Sequence, residues 1–476
     1  MRNKFLLLGV FIFGNQLGFS QTEIHDSTVI FSIKDLFYQI ENNHPLFQIA
    51  NIQEEYGKVN KRKAIGNFEP TVSFDQKNKT FDGKNYYNQQ FFELDVYSPS
   101  PVSFSVGLEK TNGLYLNNET FTPKEGLGYA GIQVPLLKNL ITDQRRTLIQ
   151  QSKNILEQSV YQKKSMIQTV YLDIWKGYIQ WYMNHEQTKS LNKALSLSNL
   201  RLDAIRKVYS AGGCSGFDTL EIAVQQQQFL SKLIENEIIT LKSKILLNAH
   251  LWATNEQKEI QPIAFKSNIV PSNLHFEVLN RIVAATAEQN DLSSQPDLLV
   301  AERKIDNLQL EVYLKKNYLL PKLDLKYQYL NTGFNSFNSI ADNSRFGLAF
   351  ASPIFFIGPR ADFKESQFKL AESQMSLKFK KREINQKAAA LLKQIESYKR
   401  IYEMLKQVEN GYFQLYQMEM NKFNSGDGTV FLLNSREAKY WEANLKTIEH
   451  YGKLLNTMVE YLSVCGTIHR FNDVLN

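Results

Sequence analysis

Near the start of the chain the spacing of apolar residues is helical and predicts two consecutive helices. Ser32 and Asp35 form a capping-box-like start. The apolar residues that follow recur every three or four positions on one helical face, namely Ile33, Leu36, Phe37 and Ile40. Pro45, which fits the first turn of a helix, then begins a second helix that we expect to end near Gly66.

Between Thr71 and Val134 the period changes to two, which predicts β-strands. The residues that alternate with small or polar ones are Val102, Phe104, Val106 and Leu108, followed by Ala130, Ile132 and Val134. A second pair of strands is expected at Leu323 to Tyr329 and at Phe346 to Phe350. We expect the polar stretch from Asn331 to Asn343 to be the loop that joins this second pair.

Each strand region is followed by an exceptionally long helical pattern. The first runs from about Arg145 to Tyr209 and the second from about Arg360 to Phe423, with apolar residues three, four or seven positions apart. At 1.5 Å per residue, about 65 residues make a rod of roughly 100 Å, which needs a lateral partner along its length. Shorter helices are expected to return at about 217–251 and 431–464.

The same order of features occurs twice, which indicates a tandem duplication. Pro45 and Pro70 are 25 residues apart, and so are Pro296 and Pro321; each pair brackets a helix that leads into a strand. Further matches follow in the same order, at Pro135-Leu136-Leu137 and Pro353-Ile354-Phe355, and at the glycine-bearing ends of the two long helices. We therefore expect a first structural repeat at residues 21–252, a connector at 253–273 and a second repeat at 274–476.

Composition and charge exclude several classes of function. The chain of 476 residues has a formal charge of +7, which falls to +5 without Arg2 and Lys4, too weak and dispersed for nucleic-acid binding. A basic start, an apolar stretch and small residues before Gln21 predict a cleaved signal peptide at 1–20. No nucleophile elbow, phosphate loop or metal-ligand spacing is found, so we predict neither enzyme activity nor a cofactor.

The ordered motifs resemble those of the TolC family of outer-membrane efflux proteins over nearly the whole mature chain. They are the Asn-x-Pro start at Asn43–Pro45, the strand entry at Leu320-Pro321, the Pro-apolar-apolar exits, and the tip at Tyr209–Ser215. The segment Lys79–Tyr87 looks like part of a long insertion in the first strand pair, found in one subgroup of this family.

This resemblance implies an α+β membrane protein in which a long antiparallel α-helical coiled-coil barrel is continuous with a β-barrel completed by trimerisation. Each chain would give four strands to a shared twelve-stranded barrel and its long helices to a periplasmic tunnel. Strands cannot leave open edges in hydrocarbon, so oligomerisation would be required. The implied function is the passive exit duct of a tripartite efflux pump or type I secretion system, with a periplasmic adaptor and an inner-membrane transporter as partners.

The resemblance also assigns the tips of the helical hairpins to the adaptor. Glycines that permit positive φ stand where the long helices reverse, at Gly212, Gly213 and Gly216 in the first repeat and Gly426 and Gly428 in the second. Plain helix-hairpin turns without a partner are the alternative interpretation.

Acidic residues just past the tips form the constriction in this family. Asp218 and Glu221 match that pattern in the first repeat, whereas the equivalent places of the second hold Leu432 and Ser435. An acidic ring at the constriction is therefore in doubt. Asp427, or Asp218 itself, could supply the negative charge instead, and the alternative is that these residues are solvated at the surface. The run Gln225–Gln228 either lines an aqueous tunnel or is merely solvated.

Two rival functions stay open at this stage. A periplasmic coiled-coil scaffold would turn its alternating apolar residues toward a protein core instead of lipid. The test is Phe104→Lys or Leu325→Lys, because a charge that faces lipid should block membrane assembly. An exported enzyme is disfavoured by the lack of a catalytic constellation. Drug, metal and protein export remain alternatives, because a wide conduit passes whatever its inner-membrane partner loads.

Overall fold

A computed structural model of the chain describes residues 29–254, 260–262, 269–272, 274, 276–289, 292–332 and 342–468. The predicted signal peptide and parts of the predicted connector and of the loop at 331–343 lie outside the described residues.

Two very long helices dominate the structure, as the sequence predicted. They contain 67 and 68 residues, which corresponds to roughly 100 Å each. The helices are α1 (Ile33–Asn43), α2 (Pro45–Gly66), α3 (Gln144–Ser210), α4 (Gly216–Asn248), α5 (Phe276–Gln289), α6 (Pro296–Asn317), α7 (Ile357–Asn424) and α8 (Val430–Val464). The capping box of α1 is present, and its four predicted apolar residues are buried. Within the described residues, no helix is both long enough and apolar enough to cross a membrane.

Six strands form one antiparallel sheet at the end of the helices. The strands of the described chain are β1 (Val29–Phe31), β2 (Thr71–Phe81), β3 (Lys84–Tyr97), β4 (Ser103–Asn112), β5 (Leu127–Pro135), β6 (Trp252–Thr254), β7 (Ile260–Pro262), β8 (Ile269–Pro271), β9 (Lys322–Thr332) and β10 (Ser344–Ala351). The large sheet has the order β10-β9-β5-β4-β3-β2. The two repeats meet in it, because β5 pairs with β9.

The first repeat gives this sheet four strands rather than the two that the resemblance implied. The insertion is therefore not a loop: its residues complete β2 and form β3 and β4. Asp82 and Gly83, both with positive φ, make the two-residue turn that joins β2 to β3. In β3, Phe92 and Leu94 alternate with Glu93, so the strand has the same two-residue period as its neighbours.

The main core lies around the middle of α3. Ile174, Trp175 and Tyr178 are almost completely buried and belong to one cluster with apolar residues of α1 and α8, including Phe37 and Met458. Tyr178 also links the end of the connector to β1. Its hydroxyl donates to the carbonyl of Phe31 at 2.9 Å and accepts a hydrogen bond from Ser272 N at 3.0 Å. Since β1 pairs in parallel with β8, the connector is also held against the first repeat here.

Two histidines lie against each other at the start of α2, namely His44, which is buried, and His250, which is half-buried. His44 is the N-cap residue, and its Nδ1 accepts a hydrogen bond from Leu46 N at 3.0 Å. Its Nε2 lies 3.3 Å from Nδ1 of His250, and the two rings stack at 5.4 Å. Burial, and then the neighbouring His250, lower the pKa of His44 to about 4. Burial also lowers the pKa of His250, against the opposing effect of Asp173.

Acidification is therefore expected to destabilise this region. The fold holds His44 neutral, whereas the unfolded chain binds a proton as the pH falls through 6.5, so stability present above pH 6.5 is lost towards pH 4. The full loss is about 2 to 3 kcal/mol. Asparagine also caps helices but does not titrate, so His44→Asn should unfold with a flatter dependence on pH in thermal melts of detergent-solubilised protein between pH 7.5 and 4.5. Parallel profiles for the two proteins would contradict this assignment.

Candidate functional site

Both long helices end in the same backbone motif. After α3, Gly212 N donates to the carbonyl of Tyr209 and Gly213 N to that of Val208, both at 2.9 Å. After α7, Gly426 N donates to Phe423 at 3.1 Å and Asp427 N to Lys422 at 3.0 Å. These pairs of bonds define the Schellman motif at both reversals. Within the described chain, the two tips are therefore built alike, as the duplication predicted.

The predicted tip glycines have different roles. Only Gly212 and Gly426 have positive φ, at 75° and 83°. Gly428 is needed for another reason, because a β-carbon there would lie 2.7 Å from the backbone nitrogen of Phe423. A β-carbon at Gly213 would lie 2.9 Å from a side-chain methyl of Val208, and Gly216 is simply the first residue of α4. The expectation of positive φ is thus wrong for Gly213, Gly216 and Gly428.

The three predicted constriction carboxylates occupy different environments in the chain. Asp218 belongs to a capping box, in which its carboxylate accepts hydrogen bonds from Ser215 N at 3.0 Å and Ser215 Oγ at 2.8 Å. Glu221 is half-buried, and burial and then Asp218 raise its pKa. Asp427 is exposed in the second tip. In the second repeat, the first turn of α8 contains no acidic residue, and Leu432 there is exposed.

A buried polar network joins the two helical hairpins about 15 Å from the first tip, ten residues along α3. Arg201 of α3 is ion-paired with Glu437 of α8, and their side chains are 8% and 0% exposed. Arg201 also donates to Asn434 Oδ1 at 3.2 Å and to the hydroxyl of Tyr416 at 3.3 Å. Gln225 Nε2 donates to the carbonyl of Asn434 and to Glu437 Oε2, both at 3.3 Å. The network therefore links α3, α4, α7 and α8.

The sequence interpretation missed this network. Gln225 was considered only as part of a tunnel lining or a solvated run, whereas it is buried between helices; Gln227 and Gln228 are exposed. Arg201 lies immediately before Leu202 and four residues before Ile205, and both of these residues are on the buried face of α3. A charged residue on an otherwise buried helical face was the available signal, because such a charge needs a partner.

The sheet exposes its apolar residues. Phe104 and Val106 of β4 are 45% and 40% exposed, whereas the intervening Ser105 is buried. Cross-strand partners continue this face: Phe104 pairs with Ile132, and Ile132 pairs with Tyr327. The exposed apolar residues of the other strands include Val72, Phe74, Phe92, Phe346, Leu348 and Phe350. This arrangement is the reverse of that in a sheet that covers a water-excluded protein core.

The opposite face of the sheet is mainly polar and concave. Gln133 Nε2 donates to Asp324 Oδ2 at 3.0 Å. Arg345 of β10 binds both carboxylate oxygens of Glu109 in β4, at 2.9 and 3.0 Å. Two strands lie between β4 and β10, and the register aligns Glu109 with Thr332 but Arg345 with Gln328, four residues away. In a flat sheet the two residues would therefore be about 14 Å apart across the strands and about 13 Å apart along them, which is more than their side chains and one hydrogen bond can span. The ion pair therefore requires a sheet that curves around its polar face.

Within the described residues, no group of His, Cys, Asp and Glu could hold a metal ion. The arrangement instead combines a curved sheet, polar inside and apolar outside, with long helical hairpins that end in two similar tips. Such a structure can enclose and shape a passage.

Comparison with known proteins reveals a structural likeness over nearly the full chain. No protein-family model and no curated protein sequence matches. Among solved structures, the outer-membrane channel OprN has a TM-score of 0.62 at 12% identity, covering 91% of this chain and 89% of that one. The CmeC outer membrane channel of Campylobacter jejuni has a TM-score of 0.61 at 11% identity, with 98% and 94% covered. VceC, an outer membrane protein of Vibrio cholerae, has a TM-score of 0.61 at 11% identity, with 90% and 95% covered.

These matches show that the chain has the fold of TolC-family outer-membrane channels, as the motifs indicated. The predicted combination of long helices and antiparallel strands is confirmed.

Proposed function

We propose that this protein is a homotrimeric outer-membrane channel that serves as the passive exit duct of a tripartite efflux pump or a type I secretion system. The observation that carries the proposal is the six-stranded sheet, which exposes apolar residues, turns polar residues inward and continues into helices of roughly 100 Å. An apolar outer surface suits contact with outer-membrane lipid, and a polar inner surface suits a water-filled lumen. The helices would extend the lumen into the periplasm.

The two tips are the proposed contacts for a periplasmic adaptor. Both present a short, glycine-bearing turn of the same geometry, so the trimer would offer six similar docking points. The side chains around them are well exposed, including Tyr209 and Phe217 at the first tip and Phe431 at the second. A water-filled channel conducts passively and supplies no energy for transport. That energy would come from an inner-membrane transporter.

A periplasmic coiled-coil scaffold is the alternative, and it accounts for the long helices equally well. It does not account for the exposed apolar face of the sheet. Phe104, Ile132 and Phe346 would lie in water in a soluble scaffold, unless a protein partner covered them. The channel proposal gives these residues an apolar surrounding without a further partner.

The test is the state of the mature protein after extraction from outer-membrane fractions in mild detergent. Light scattering, corrected for bound detergent, should give the mass of three chains. A soluble monomer or dimer that never enters the membrane fraction would overturn the channel and favour the scaffold.

A further inference from the structure

The number of strands in the sheet predicts the size of the barrel. The resemblance implied four strands per chain, but this chain forms six in one continuous sheet. The question is whether the additional strands, β3 and β4, form part of the barrel wall in the membrane or lie outside it.

The additional strands extend over the full height of the sheet. The turn between β3 and β4 returns to the helix end of the sheet, where Tyr97, Phe68 and Tyr318 line a common cleft. There the guanidinium of Arg145, at the start of α3, lies 3.5 Å from the centre of the Tyr97 ring. The Asp82-Gly83 turn lies at the opposite end, eleven residues of strand away. The inserted segment therefore crosses the same layer as β5 and β9.

The additional strands also have the same two faces. One row of cross-strand partners runs Val72, Leu94, Val106, Ala130 and Tyr329, from β2 to β9 without interruption. The neighbouring row on the other face runs Asp95, Ser105, Gly131, Gln328 and Arg345, from β3 to β10. An apolar row and a polar row that continue through the inserted strands are expected if these strands separate lipid from water.

Two strand edges remain open within the described sheet. β2 pairs only with β3, and β10 pairs only with β9, so each leaves one row of backbone N–H and C=O groups without a strand partner. All residues of both strands are exposed in the single chain. In the alternating sheet, β2 leads away from the helices and β10 leads back to them. They therefore run in opposite directions and suit each other as antiparallel partners.

We propose that β2 of each copy pairs with β10 of the next, so that three copies with six strands each close a wall of eighteen strands (3 × 6). This inference rests on the trimer of the proposed function. It replaces the twelve strands implied by the resemblance. Because the diameter of a barrel grows roughly in proportion to its strand number, the lumen would be about half as wide again as that of a twelve-stranded wall.

The direct test is an electron-microscopy reconstruction of the purified full-length assembly that separates neighbouring strands, which lie about 4.8 Å apart. Eighteen strands in the wall of a trimer are expected. A trimer with twelve wall strands and the β3–β4 hairpin outside would overturn this inference but leave the proposed function intact. Absence of a trimer in the membrane fraction would instead overturn the proposed function.

Cysteine chemistry gives an independent test in outer-membrane vesicles. Cys214 would be replaced by serine, and Cys465 is buried. Phe92→Cys and Glu93→Cys introduce neighbouring cysteines on opposite faces of β3. A charged maleimide should label Glu93→Cys from the lumen at least tenfold faster than Phe92→Cys, which would lie against lipid. Equal labelling would place the hairpin in solution and contradict the eighteen-stranded wall.

The seam itself can be crosslinked. Phe74→Cys on β2 would be combined in turn with Phe346→Cys, Leu348→Cys or Phe350→Cys on β10, which covers the possible registers on the apolar face. At least one pair should form a reducible link between chains, because directly opposed β-carbons lie within disulfide reach. The control pairs Val106→Cys on β4 with the same β10 positions and should form none. If links form only in the control pairs, β10 of one copy does not lie beside β2 of the next, and the proposed pairing is wrong.

Discussion

Ile132→Lys is expected to prevent the protein from assembling in the outer membrane. Ile132 lies on the apolar face of β5, is 40% exposed, and stands between Phe104 and Tyr327 of the adjacent strands. A lysine that faces lipid costs about 2 to 4 kcal/mol near the bilayer midplane, and a trimer would contain three. Membrane fractionation and the yield of detergent-extracted trimer measure the effect.

The matched control is Gln133→Lys at the next residue of the same strand. Gln133 faces the polar side and donates to Asp324, so a lysine ammonium there could form an ion pair with the same carboxylate. This variant should assemble normally. If both variants assemble, the apolar face does not meet lipid and the scaffold becomes the better account of the protein.

Much of the fold could be predicted because its helix ends are encoded locally. The capping box at Ser32, the proline at Pro45 and the glycines Gly212 and Gly426 each act within a few residues of chain. The predicted ends of α3 and α8 agree with the structure to within one residue. The repeated order of sequence motifs then allowed one half of the chain to be interpreted from the other.

The number of strands was wrong because the resemblance took precedence over local chemistry. Asp82-Gly83 is a strong signal for a two-residue hairpin turn, and the alternation through Phe92, Glu93 and Leu94 continues beyond it. Both features favour strands over a loop. A family pattern gives the common core of a fold, whereas an insertion has to be interpreted from its own residues.

The candidate site was harder to predict, since its contacts join distant parts of the sequence. Arg201 and Glu437 are 236 residues apart and meet only because α3 and α8 pack side by side. Asp218 illustrates the opposite difficulty. Its place after the tip suggested a constriction, but the same spacing of three residues from Ser215 lets it cap α4.

Glu437→Ala is expected to destabilise the assembled protein by about 3 to 5 kcal/mol, because it leaves the charge of Arg201 buried without its carboxylate partner. Burial is the main cause that raises the pKa of Tyr416, and it persists in this variant, so the phenol stays neutral and does not replace the carboxylate. Urea unfolding of the detergent-solubilised trimer measures the loss. Lys189→Ala, which removes the exposed ion pair with Glu186 on the same helix α3, should change stability by less than about 1 kcal/mol.

The double variant Arg201→Met/Glu437→Leu separates the cost of an unpaired charge from the value of the pair. Apolar residues of similar volume often replace a buried ion pair without loss, so this variant should regain most of the stability that Glu437→Ala loses. Its conductance in planar bilayers then tests what the network does. If the network holds the two hairpins together near the tips, the stable double variant will conduct more than the wild type. Unchanged conductance, with stability restored, would mean that the ion pair only fixes how the four helices pack.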